Sequence, residues 1–153
     1  MDYQFEVTTP DAIPTLSIRT RASVEKLPQE MGRIFGQIYQ YLMEIGERPG
    51  NAAYSGYYNM DMSDLDVEIG WVLEKPLPGR GDIMATEIPG GKQVSCMYKG
   101  PYNKMEPTYQ AMTAWMAANN YTPTGVAYEF YYNDPSMVPV SELLTKIVFP
   151  VRE

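Results

Sequence analysis

Apolar positions along this chain change their period in the same order in each half. LSIRTRAS, residues 16–23, reads as an apolar strand running into a turn. Val24, Leu27, Met31, Ile34, Phe35, Ile38, Leu42 and Ile45 then recur at three- and four-residue steps, which predicts an amphipathic helix. Pro28 suits its first turn, and Gly46 suits the position just past its end. AYSGYYNMD (53–61) reads as a further strand, and in DVEIGWVL (66–73) the alternation of Val67, Ile69 and Trp71 predicts another.

The second half repeats this order. VSCMYKGP (94–101) is strand into turn, and Met105, Tyr109, Met112, Trp115 and Met116 make a helical stripe with Pro107 near its start and Asn119-Asn120 at its end. AYEFYYNDP (127–135) and LTKIVFPV (144–151) complete it. The halves superpose at nearly constant offsets: Ser17 on Ser95 (95 − 17 = 78), Pro28 on Pro107 (79), Tyr54 on Tyr128 (74) and Ile69 on Ile147 (78). Such self-similarity marks an internal duplication. FEVTT (5–9) and IMATE (83–87) add a strand before each module, PGG (89–91) reads as a hairpin turn, and KPLPGRG (75–81) reads as a short linker. The expected fold is α+β: duplicated ββαββ modules (about 4–74 and 82–151) in one domain over 1–153, with pseudo-two-fold symmetry. A curved antiparallel sheet would carry two main helices, with a ligand cleft at the seam.

Composition narrows the chemistry. With 44% hydrophobic residues among 153, the chain can build its own core. One cysteine, Cys96, allows no internal disulfide, and MDYQFEV lacks the marks of a secretory leader, so a cytoplasmic protein is expected. Apolar runs fall far below the roughly 18 to 20 residues of a spanning helix, so no membrane association is expected. The net charge of −7, with scattered Lys and Arg, disfavours nucleic acid and favours cations. There is no histidine, which excludes His-activated nucleophiles and His-bearing zinc or haem sites. PGRGD (78–82) lacks the Lys-Ser/Thr of a phosphate loop, and no cofactor or metal is expected.

The unusual residue is Glu129, a carboxylate inside the aromatic run YEFYYNDP (128–135). By strand alternation it shares a face with Ala127 and Tyr131. Pattern alone favours a solvated acid on an edge strand, because unpaired buried carboxylates are rare. Its counterpart in the first half is Ser55, so the tyrosine frame is duplicated and the acid is not. Thirteen tyrosines and eleven methionines suit adaptable aromatic surfaces as well as ordinary packing.

The DVEIGW strand, the KGPY turn (99–102), and YEFYYNDP followed by a Pro- and Glu-bearing loop and KIVFPV occur in an order that resembles the GyrI-like small-molecule-binding family. That family includes the effector-binding domains of AraC-type and MerR-type multidrug regulators. The resemblance implies an aromatic cleft for lipophilic, often cationic, molecules, with Glu129 as the charge that neutralises them. The candidate lining is Glu129, Glu68, Tyr54, Tyr57, Trp71, Tyr98, Tyr102, Tyr131 and Phe149. Regulators of the family carry a separate helix-turn-helix domain, for which this chain has no room. Lys146 stands where the family often has Glu, which leaves the ligand's charge preference open. The leading expectation is a free-standing binding protein that sequesters or senses such molecules. The alternatives are a hydrolase of cyclopropane-bearing genotoxins using Glu129, and an inhibitor of an unidentified protein partner, such as DNA gyrase.

Overall fold

The structure is a computed structural model that describes residues 3–152. It has eight strands: β1 (Phe5–Thr8), β2 (Ile13–Ala22), β3 (Ala53–Tyr57), β4 (Leu65–Val72), β5 (Met84–Ile88), β6 (Gln93–Lys99), β7 (Ala127–Tyr131) and β8 (Leu144–Pro150). Two helices, α1 (Leu27–Glu44) and α2 (Glu106–Ala118), and two short 3-10 turns, Tyr102–Lys104 and Val140–Glu142, complete the order. All the strand pairings described are antiparallel, so the class is α+β. Among the described residues no helix is long and apolar enough to cross a membrane.

The helices start and stop where local chemistry directs. Pro28 and Pro107 occupy the second position of α1 and α2, where a missing N–H costs no hydrogen bond. Each helix ends in the same pair of reversed bonds. In α1 Gly46 N–H reaches Met43 O and Glu47 N–H reaches Leu42 O, at 3.2 and 2.9 Å. In α2 Asn120 N–H reaches Ala117 O and Tyr121 N–H reaches Met116 O, at 3.3 and 2.8 Å. The motif needs a left-handed residue, supplied by Gly46 (φ +73°) and by Asn120 (φ +64°). Val24 and Ile45, read from the sequence as part of the first stripe, fall outside α1 and are exposed.

The chain forms two compact units, Asp11–Gly90 and Met1–Pro10 with Gly91–Glu153. In the 11–90 unit the strand order is β3-β4-β2-β5. Leu27, Ile34, Ile38 and Leu42 of α1 pack on Leu16, Ile18, Val67 and Ile69. Each such side chain contributes about 1.5–3 kcal/mol on burial. Tyr41 joins this core and donates to Pro78 O (2.7 Å), while the Arg80 guanidinium lies 4.5 Å over its ring. The 75–81 stretch therefore packs along α1.

In the other unit the order is β1-β6-β8-β7. Met112 and Met116 of α2 pack on Val94, Cys96, Tyr98 and Ile147. Phe5 of β1 lies 5.5 Å from Trp115, which stacks on Tyr121 at 5.8 Å. The PGG stretch is not the turn of a hairpin. β6 has β1 on one edge and β8 on the other, so β5 has no edge there and pairs with β2 instead. Gly91, at φ +122°, carries the chain out of β5 and donates to Pro10 O (3.1 Å).

The duplication holds at the level of single pairings. Ser17 faces Gly70 and Ser95 faces Val148; Tyr54 faces Gly70 and Tyr128 faces Val148; Ser55 faces Ile69 and Glu129 faces Ile147. These are the sequence offsets of 78 and 74 realised as register. Asn59 clasps its loop by donating to Asp64 O and accepting from Asp66 N–H, both at 3.0 Å. Asn133 does the same with Glu142 O (3.2 Å) and Leu144 N–H (2.9 Å).

One position departs from the repeat for a steric reason. A Cβ on Gly70 would fall 2.1 Å from Leu16 O, so β2 and β4 approach there only because no side chain intervenes. Gly70→Ala is expected to lower stability by about 2–4 kcal/mol, read as a fall in the urea midpoint with an unchanged slope.

Candidate functional site

β7 places Glu129 on a face with a defined owner. Glu129 lies opposite Ile147 and Tyr131 opposite Thr145, and Ile147 belongs to the core beneath α2. Directly opposed residues share a face, so Glu129 and Tyr131 point toward the side that α2 covers. Tyr128 and Phe130 point the other way, as alternation predicts, and are buried.

The carboxylate is held by two phenols. Tyr109 of α2 donates to Glu129 Oε2, and Tyr131 donates to Oε1 at 2.7 Å. Tyr102 sets its ring edge-on to Tyr131, with centroids 5.6 Å apart at 80°. Phe149 sets its ring edge-on to Tyr109, at 5.6 Å and 84°. Burial among these rings pushes the Glu129 carboxyl above its ordinary value; the hydrogen bonds from Tyr109 and Tyr131 oppose this and only partly offset it. The Tyr102 hydroxyl is raised as well, chiefly by burial. Glu129, Tyr131, Tyr102 and Phe149 are thus brought into one cluster. Tyr109 was absent from the sequence candidates, since it lies in a stripe of Met and Trp that reads as core. Its one signal was that it carries the single hydroxyl in that stripe.

Glu68 forms a separate centre in the 11–90 unit. Val67, Ile69 and the half-buried Trp71 belong to the core beneath α1, so Glu68 points to the opposite face of β4. It is buried, and both its oxygens accept phenolic protons, Oε2 from Tyr54 and Oε1 from Tyr58 (2.7 Å). The Tyr54 hydroxyl also lies 3.1 Å from Thr15 Oγ1, which meets Thr86 Oγ1 at 2.7 Å; Ser17 Oγ meets the same Thr86 oxygen at 2.7 Å. Burial, and then the Glu68 charge, raise the Tyr54 hydroxyl strongly, so it stays protonated. Arg19 lies 3.7 Å over the Tyr58 ring and holds Asp66 at 2.6 and 2.9 Å. This centre already has its donors and a neighbouring cation. Tyr58 and the Thr15-Ser17-Thr86 hydroxyls were not among the sequence candidates.

The remaining candidates have defined places. Tyr98 is buried and donates to Pro101 O (2.7 Å), bracing the turn at Gly100, where an added Cβ would meet its hydroxyl at 2.9 Å. Tyr57 packs against the α1 core. Trp71 donates from its indole nitrogen to Phe35 O (3.0 Å), with the Phe35 and Tyr39 rings at 5.9 and 6.0 Å. Lys146 lies opposite Phe130 and Met97, on the face of β8 away from Glu129. Among the described residues no group of three or more His, Cys, Asp or Glu could hold a metal. An open groove of about 450 Å³ lined by Gln37, Tyr41, Glu44, Arg80 and Asp82 contains none of these candidates, and its Arg80 is taken by Glu44 at 2.6 Å.

The sequence profile of the GyrI-like small molecule binding domain matches residues 3–152. No curated protein matches the chain in sequence. The fold is similar to that of EcmrR in a complex with DNA (TM-score 0.84, 22% identity), covering 99% of this chain and 58% of that one. The chain thus spans less than two thirds of that EcmrR chain. The isolated EcmrR C-terminal domain gives a TM-score of 0.78 at 22% identity, covering 100% of this chain and 99% of that one. SAV2435 bound to tetraphenylphosphonium gives 0.63 at 12% identity, covering 99% and 94%. A hydrolase from Listeria innocua gives 0.64 at 14% identity, covering 97% and 92%.

Because Glu129 is held above its ordinary value, the folded state binds its proton more tightly than the unfolded chain does. Its contribution to stability is complete below about 4.5, the ordinary value, and is lost as pH rises through the raised one. Glu129→Gln is expected to flatten the decline of stability between pH 4 and 8, read by urea midpoints across that range. An equal slope in both proteins would show that the carboxyl is not desolvated.

Proposed function

The chain belongs to the GyrI-like small-molecule-binding domain family, and from that premise we propose that it binds lipophilic cations through Glu129, sequestering or sensing them. The observation that carries this reading is a half-buried carboxylate set among the Tyr102, Tyr109, Tyr131 and Phe149 rings, with two phenols as its donors among the described residues. An incoming cation gains the charge attraction in a medium of low polarity. It also gains about 0.5–2 kcal/mol for each aromatic face it meets. Proton and cation compete for the same oxygens, so binding strengthens as pH rises through the raised carboxyl value. Glu68 is the weaker anchor, because the Arg19 guanidinium lies over the ring of its Tyr58 partner and already supplies a neighbouring cation. The tetraphenylphosphonium held by SAV2435, a relative in fold, is a ligand of the class this reading requires.

A planar cationic dye, displaced by tetraphenylphosphonium, tests the assignment. Glu129→Gln should weaken dye binding about tenfold or more, equivalent to about 1.4 kcal/mol, with Glu68→Gln much less damaging. Equal binding by wild type and Glu129→Gln would overturn it.

The same carboxyl also supports a second reading, hydrolysis of a strained electrophile. A glutamate raised by burial suits general acid–base work, and the Tyr109 and Tyr131 hydroxyls lie within reach as proton donors. Turnover of a cyclopropane-bearing alkylator that Glu129→Gln abolishes while dye binding persists would favour catalysis over binding.

A further inference from the structure

One buried hydroxyl on the face of Glu129 has no partner among the described residues. Among the described residues Thr145 Oγ1 is a buried side-chain polar atom without a hydrogen bond, and Thr145 is 0% exposed. Leaving a hydroxyl unsatisfied in an apolar setting is costly, so such a group calls for an explanation.

Its position on β8 supplies one. Thr145 lies opposite Tyr131 on one side and Tyr98 on the other, so it shares the α2-covered face with Glu129 and sits between two phenol rings. Neither phenol gives it a proton: Tyr131 donates to Glu129 and Tyr98 to Pro101 O. Packing does not require the hydroxyl either. At an offset of 78 the counterpart of Thr145 is Val67, which faces Tyr57 as Thr145 faces Tyr131 and is 0% exposed in its own core. The site of the repeat calls for a β-branched shape, and valine supplies it. The oxygen is an addition on the same face and in the same half as the carboxylate that replaces Ser55.

We propose that Thr145 sets ligand selectivity at this site, its Oγ1 accepting an N–H of a bound organic ammonium whose charge rests on Glu129. The site then prefers a protonated amine to a quaternary cation of the same size, which has no N–H to give. Thr145 and Glu129 are diagonal neighbours across β7 and β8, about 7–8 Å apart from strand to strand, a span that one ammonium group can bridge between the two side chains. The inference rests on the reading of Glu129 as the cation anchor.

The test uses two probes differing in one methyl: N,N-dimethyl-naphthylmethylamine, protonated at neutral pH, and naphthylmethyl-trimethylammonium. Wild type should bind the amine about tenfold more tightly, the worth of one satisfied hydrogen bond. Thr145→Val should bring that ratio to within about twofold of unity, and Thr145→Ser, which keeps the oxygen, should retain the preference. A wild-type ratio near one, or an unchanged ratio in Thr145→Val, would overturn the role of Thr145 while leaving Glu129 standing. Binding of neither probe, or binding of both by Glu129→Gln as tight as by wild type, would overturn the anchor and this inference with it. Failure of Thr145→Val to fold while Thr145→Ser folds would assign the hydroxyl to structure instead.

Discussion

A carboxylate on the helix-covered face of a strand has to find donors or give up its charge. Glu129 meets this constraint with two phenols, one from its own strand and one from the helix above it. The arrangement requires β7 to lie against β8 in a single register, since a slip of one residue would turn the acid to the other face. It also requires α2 to start where Pro107 and the 3-10 turn at Tyr102–Lys104 place it, so that Tyr109 stands over the strand. Strand register, helix start and the rings of Tyr102 and Phe149 are thus tied to one acid, and its protonation follows from them.

The duplicated frame does not duplicate this centre. Each half sets two tyrosines on a glutamate, but from different strands and on different faces: Glu129 from β7 beneath α2, and Glu68 from β4 away from α1. The counterpart of Glu129 is the buried Ser55, and the counterpart of Glu68 is Lys146. Glu68 joins a chain of hydroxyls with Arg19 nearby and makes a closed polar network. Such a network is worth most when every member is satisfied. Glu129 stands among apolar ring edges with an unpaired hydroxyl nearby, the opposite condition.

Much of this fold was legible along the chain because its signals are local. The helical stripes, Pro28 and Pro107, Gly46 and the Asn119-Asn120 end all act within one or two turns, and the structure uses them as read except at the stripe ends, where Val24, Ile45 and Met105 fall outside the helices. The repeat offsets reappear as strand register because matched residues carry matched alternation. The PGG hairpin failed for a non-local reason: turn residues show that the chain bends, but not which sheet edge lies open to receive the next strand.

The sequence by itself determined two modules of strand and helix, the family to which they belong, and the isolation of Glu129 within a repeated tyrosine frame. Only the tertiary structure decided that Tyr109 reaches down to that acid, that Glu68 faces away from its helix with Arg19 near its tyrosine, and that Thr145 carries an oxygen with no partner among the described residues. The reason is physical. Periodicity assigns a residue to a face, but hydrogen-bond saturation and desolvation depend on which distant side chains meet on that face, and those meetings are made by packing.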